Sequence, residues 1–170
     1  MDVTVTDIIN SLYHPTDILN LRVFDDKKRG IFTGQKLSVE AGRFSTMEQT
    51  LKDHNEQGHG IFFVVNSGGQ SDAEITRINA QFVESDTLSF EEMQKRIDGF
   101  PLPPSMIIKT RKSLHTYWFV KDAEVSRFRP IQKALVDYFD GDSNCVNESR
   151  VLRLPGFYHC KEEPDRKSVV

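Results

Sequence analysis

The sequence predicts an α+β fold, on three observations. Strand-like alternation and helix-like periodicity both occur along the chain, without strict strand–helix–strand succession. One continuous apolar run, Gly60-Ile61-Phe62-Phe63-Val64-Val65-Asn66, has the character of a fully buried strand. The 170 residues, 38% apolar and 28% charged, suffice for one substantial core, so one domain with at most a small appendage is expected.

In chain order, residues 4–13 read as a short helix capped by Thr4 or Thr6 and stopped before Pro15. Ile18 to Phe24 alternates as a strand, and Asp25-Asp26-Lys27-Lys28-Arg29-Gly30 is a polar turn. Ile31-Phe32-Thr33-Gly34 then returns as the second strand of a hairpin. Ser45 is placed to cap a helix running to Gln57, with Glu48 completing a capping box. After the apolar run, Ser67-Gly68-Gly69-Gln70 is a loop suited to close backbone approach. Ala80 to Asp86 is a strand, and 89–98 a helix. Pro101, Pro103 and Pro104 interrupt the chain. Residues 105–109 and 113–120 read as antiparallel strands joined by a tight basic turn at Arg111-Lys112. Residues 123–139 form a long amphipathic helix with Ile131, Leu135, Val136 and Phe139 facing the core. Gly141-Asp142 ends it, a short strand covers 150–154, and 162–170 reads as a tail or linker.

Composition narrows the function. No apolar run is long enough to span a membrane, and MDVTVTDIIN carries no basic leader, which predicts a cytoplasmic protein without a membrane partner. Cys145 and Cys160 are too few for a disulfide framework, and with His159 they lack the paired spacing of a zinc site. A net charge of −3 is not that of a DNA-coating protein, so any nucleic acid must be met by local basic clusters.

Two constellations carry chemistry. On an extended strand Glu84 and Asp86 share a face, and paired carboxylates repel unless a cation lies between them. Hard cations such as Mg²⁺ take oxygen ligands, and two of them roughly 4 Å apart form the usual clamp for phosphoryl or nucleotidyl transfer. Further on, Ser113, His115 and Tyr117 share a strand face. A hydroxyl and an imidazole there, beside Arg111-Lys112, suit a phosphate oxygen.

Glu84-Ser85-Asp86, then Ser113-Leu114-His115, then Asp142, with the flanks GIFFVVNSGG and SRVLRLPGFYHCK, resembles the three-part signature of the archaeo-eukaryotic primase superfamily. The resemblance runs from Gly60 to Lys161 and is to the primase-polymerase branch of phages, plasmids and CRISPR-associated proteins. It implies a primase catalytic core: an RRM-like catalytic sheet (60–161) packed against a small N-terminal α/β module (1–59), with the site between them. It implies Glu84, Asp86 and Asp142 as catalytic ligands of two Mg²⁺ or Mn²⁺ ions. It also implies Arg111, Ser113, His115, Arg150, Arg153 and Lys161 as nucleotide-binding residues. The relatives often have Asp where this chain has Glu84, which bears on metal preference. The implied activity is nucleotidyl transfer from dNTPs or NTPs to a primer 3′-hydroxyl or an initiating nucleotide on single-stranded DNA. A C-terminal accessory or helicase domain is an implied partner, and the chain is then an excised core. The rival readings are a nuclease or replication initiator using the same acids, and a non-catalytic module binding nucleotide or single-stranded DNA. The absence of His-x-His counts against nicking.

Overall fold

Alternation along β1 (Ile18–Asp25) sets the first sheet: Leu19, Leu21 and Val23 are fully buried, whereas Arg22 and Phe24 face the other way. In this computed structural model, which describes residues 2–161 and the strand backbone at 165–166 and 168–169, β1 pairs antiparallel with β2 (Gln35–Glu40) and β3 (His59–Val64). A short strand, β7 (Val151–Arg153), joins the far side of β3, giving the order β2-β1-β3-β7. The buried face packs with Ile8, Ile9 and Leu12 of α1 (Val5–Leu12) and Leu51 of α2 (Glu48–Glu56). Thr4 caps α1 in a capping box with Asp7.

The second sheet is also antiparallel, in the order β10 (Ser168–Val169), β5 (Met106–Lys109), β6 (Leu114–Phe119), β4 (Ala80–Val83). Phe82, Ile108 and Tyr117 join the core of the first sheet. The opposite face, with Val83, Leu114 and Trp118, packs on Met93 and Ile97 of α3 (Phe90–Gly99) and on Leu135 and Phe139 of α4 (Val125–Phe139). The fold is therefore α+β, as expected.

β4 is an edge strand, and a side chain closes its edge. Gln132 of α4, wholly buried, accepts from Phe82 N at 2.9 Å and donates to Phe82 O at 2.8 Å. Its amide also donates to Cys145 O at 2.6 Å and accepts from Gln81 Nε2 at 2.9 Å. Helix α4 thus takes the place of a neighbouring strand.

Several local expectations are corrected. The hairpin returns through Gln35–Glu40, not through 31–34. Ile31 is 78% exposed, and glycines with positive φ at 30 and 34 interrupt the stretch. Ser45 lies in a 3₁₀ turn over Ala41–Thr46, and α2 starts at Glu48 behind Met47 with no side-chain cap. Ile131 is exposed, because α4 turns Phe128, Gln132, Leu135, Val136 and Phe139 inward. The strand expected to reach Asp86 stops at Val83.

The division expected between residues 59 and 60 falls at the start of β3, which pairs with β1 on one side and β7 on the other. Within the expected tail, residues 165–166 form β9, paired with β8 (Tyr158–His159), and 168–169 form β10. Residues 162–164, 167 and 170 lie outside the described residues. Among the described residues no helix is long and apolar enough to cross a membrane.

Candidate active site

Glu84 and Asp142 meet because two loops are zipped together. Where β4 ends, buried Ser85 turns the chain: its Oγ donates to Asp140 O at 2.8 Å and accepts from Leu88 N at 3.2 Å. Asp140 is the left-handed cap of α4, and two residues on Asp142 N donates to Glu84 O at 2.8 Å. A Cβ on Gly141 would stand 2.6 Å from Val83 Cγ2 and 2.9 Å from Glu84 O, so this closure requires glycine.

The carboxylates of Glu84 and Asp142 and the thiol of Cys145 each offer an atom within 4.8 Å of the others. Cys145 is buried, with Sγ 3.7 Å from Glu84 Oε1 and 3.8 Å from Asp142 Oδ2. Burial raises its pKa well above the usual thiol range, and the Glu84 and Asp142 charges add to the rise. The second oxygen of Asp142 accepts from Asn144 N at 2.9 Å and Asn144 Nδ2 at 3.0 Å. His115, buried on β6, directs Nε2 at Glu84 Oε2. The fully buried Tyr117 hydroxyl has no hydrogen-bond partner among the described residues, and burial together with the Glu84 charge raises its pKa.

A cleft of about 530 Å³ reaches this cluster at Glu84. Glu84, Asp86, Arg111, Ser113, His115, Arg153 and Lys161 all line it, together with Phe24, Asp26, Lys28, Phe62 and Lys112. Arg111 and Lys112 stand at the tip of the turn joining β5 to β6. That turn is closed by Thr110 N donating to Ser113 O and by Ser113 N donating to Thr110 Oγ1, both at 2.9 Å. Arg153 comes from the opposite sheet. Its Nη2 and Nη1 hold Asp26 at 2.6 and 3.1 Å, and its guanidinium lies 4.5 Å over the Phe62 ring.

Two of the expected residues do not line the cleft. Asp142 is grouped with Glu84 without lining it, and Arg150 Nε donates to Asn147 Oδ1 at 2.9 Å. Asp86 lines the cleft together with Glu84, while Ser85 between them is buried, but the Asp86 carboxylate is not among the atoms that meet in the Glu84–Asp142–Cys145 group. Cys145 and Asp26 were not anticipated. Cys145 follows Asp142 by three residues in a loop, and Asp26 sits in a polar turn, so neither carries a periodic signal.

The donor set fits a hard divalent cation. Carboxylate oxygens from Glu84 and Asp142 converge, Asp86 is near in the cleft, and the thiol adds a softer neighbour.

Residues 71–169 match the family described as the RepB DNA-primase N-terminal domain. The chain belongs to that family. It is thereby a member of the archaeo-eukaryotic primase superfamily, in its primase-polymerase and RepB-like branch. The archaeo-eukaryotic primase domain of the cyanophage S-2L primase-polymerase is similar, with a TM-score of 0.81 and 26% identity over 96% of this chain and 85% of that one. The crystal structure of the primase RepB′ shares the fold at a TM-score of 0.69 and 17% identity; it covers 98% of this chain, which spans 55% of RepB′. The catalytic domain of RepB′ in complex with initiator DNA gives 0.67 and 15%, over 97% of this chain and 83% of that one. No curated protein sequence matches the chain.

Proposed function

We propose that this RepB-like domain is the catalytic core of a metal-dependent primase-polymerase. It would add nucleotides from dNTPs or NTPs to a primer 3′-hydroxyl, or to an initiating nucleotide, on a single-stranded DNA template. The observation that carries this reading is the convergence of Glu84 and Asp142 beside a cleft whose rim bears Arg111, Arg153 and Lys161. Acids and cations facing one another suit a triphosphate that must be held while its charge is redistributed. Family membership and the likeness to the cyanophage domain support the same reaction.

Glu84, Asp86 and Asp142 would hold Mg²⁺ or Mn²⁺. When bound, such ions lower the pKa of an attacking hydroxyl and offset phosphate charge. Arg111 and Lys112 are set at the tip of a hydrogen-bonded turn, and Ser113 closes its base, so their charges and hydroxyl are presented on a rigid element. Arg153 and Lys161 supply positive charge from the facing wall, and a guanidinium fork matches phosphate geometry. His115 orients the Glu84 carboxylate through Nε2. Arg150, tied to Asn147 outside the cleft, would act through the loop that carries Asp142 rather than by direct grip.

The test is incorporation of labelled nucleotide on a primed single-stranded template with Mg²⁺ or Mn²⁺. The wild type is expected to extend the primer, and Glu84→Gln, Asp86→Ala and Asp142→Asn to abolish extension. Arg153→Met and Lys161→Met are expected mainly to raise nucleotide KM. A folded wild type that binds nucleotide but extends nothing would make the chain a binding module instead.

A further inference from the structure

The first sheet turns an unusual pair of rings toward the cleft. Phe24 lies on β1 and Phe62 on β3, the two central strands of the four-stranded antiparallel sheet, and both line the cavity. Phe24 is 40% exposed, although Val23 before it is fully buried and Asp25 after it nearly so. Its ring is not loose. It meets Phe62 edge-on, with centroids 5.3 Å apart and planes at 71°, and a Cβ on Gly34 would come within 3.2 Å of it. Phe62 in turn is capped by the Arg153 guanidinium. Among cations, Lys28 lines the cavity with the pair, while the strand register puts Arg22, which donates to Gln70, and Lys36 on the same face outside it.

We infer that Phe24 is a stacking platform for a nucleobase. A rigid, half-exposed ring on the central strands of a four-stranded sheet, flanked by cations, is the arrangement by which single-stranded nucleic acid is stacked without sequence readout. The base would lie on Phe24 while its phosphates meet the cationic rim that includes Lys28. This rests on the nucleotidyl-transfer reading for what carries the base, either a strand of DNA or a nucleoside triphosphate. The recognition itself does not depend on that reading.

The test is equilibrium binding without catalysis, by fluorescence anisotropy. Labelled oligothymidylate is compared with an abasic oligomer of the same length, and displacement by dTTP with displacement by tripolyphosphate. Phe24→Ala and Phe24→Leu should weaken base-bearing ligands about five-fold or more and leave their abasic or base-free counterparts unchanged, as expected for loss of one stacked base. Phe24→Trp should retain binding and guards against a folding defect in the other variants. Leu102→Ala, at an exposed site away from the cleft, should bind as wild type. Loss confined to oligothymidylate identifies DNA as the carrier, and loss confined to dTTP identifies the nucleotide. Equal binding by wild type, Phe24→Ala and Phe24→Leu, or an equal loss for base-bearing and base-free ligands, overturns the platform. Failure of primer extension by the wild type would count against the catalytic reading alone.

Discussion

Replacing Gln132 by leucine tests whether one side chain holds the strand that leads to Glu84 and Asp86. Leucine is close in volume to glutamine and fits an apolar setting, so the change removes hydrogen bonds with little change in packing. The wild-type amide serves Phe82 N, Phe82 O and Cys145 O, all in a site with no solvent access. Each buried backbone group left without a partner costs about 1–3 kcal/mol, and the leucine returns part of that by burying apolar surface. A net loss of about 4 kcal/mol follows, a large share of the ~5–15 kcal/mol that stabilises an ordinary domain. In a chain of this size that lowers Tm by roughly 8–16 °C. Urea unfolding followed by circular dichroism should show the midpoint falling with the slope unchanged. A Gln132→Leu protein within about 1 kcal/mol of wild type would refute the argument that α4 substitutes for a missing strand.

Gly141→Ala should cost about 1–3 kcal/mol through overpacking against Val83 and Glu84, and should weaken Mn²⁺ binding measured by calorimetry more than it lowers Tm. Asp26→Ala strands the Arg153 guanidinium, whose side chain is only 12% exposed. A loss of about 3–5 kcal/mol is expected in denaturant titration, and an unchanged midpoint would argue against the pair. For Asp72, burial raises the carboxyl pKa, but hydrogen bonds from Ser149 and Asn147 and the Arg129 charge outweigh it and bring the pKa from 3.8 down to about 2. A folded pKa below the unfolded one stabilises the fold above pH ~4 and loses that contribution as pH falls toward 2. The shift alone would correspond to about 2.4 kcal/mol, but Asp72 is 43% exposed, and screening leaves about 1 kcal/mol. Asp72→Asn should therefore flatten the acid limb of a stability–pH curve by that amount, and an unchanged limb would remove Asp72 from the account.

What was legible in the sequence is what local chemistry decides. The apolar run at 60–66, the alternation of 18–24 and the two strands around Arg111-Lys112 were readable because side-chain period and turn residues are local signals. The acids stood out because two carboxylates share a strand face at Glu84 and Asp86, and because the resemblance to the primase signature adds Asp142. The grouping of Glu84, Asp86 and Asp142 was implied by the resemblance, but the ties that join two of them were not readable. Ser85 bonds to a carbonyl 55 residues later, and Asp142 N bonds to Glu84 O, which brings Asp142 beside Glu84. Asp26 was hidden for the same reason. Within Asp-Asp-Lys-Lys-Arg-Gly it reads as one more charge on a solvated tip, and only Arg153, 127 residues on, shows why it is buried. Ile131 failed in the opposite direction: an apolar residue was assigned inward by period, while the inward position went to polar Gln132 because an edge strand needed its amide. In each case a long-range hydrogen bond outcompeted a local pattern. The same bonds, Ser85 to Asp140, Asp142 to Glu84 and Gln132 to Cys145, are the ones that bring the carboxylates to a single point. The site is therefore least readable where it is most strongly built. Ser85→Ala and Gln132→Leu, which remove two of these ties without removing a carboxylate, should therefore weaken Mn²⁺ binding measured by calorimetry, and unchanged binding would separate the ties from the site.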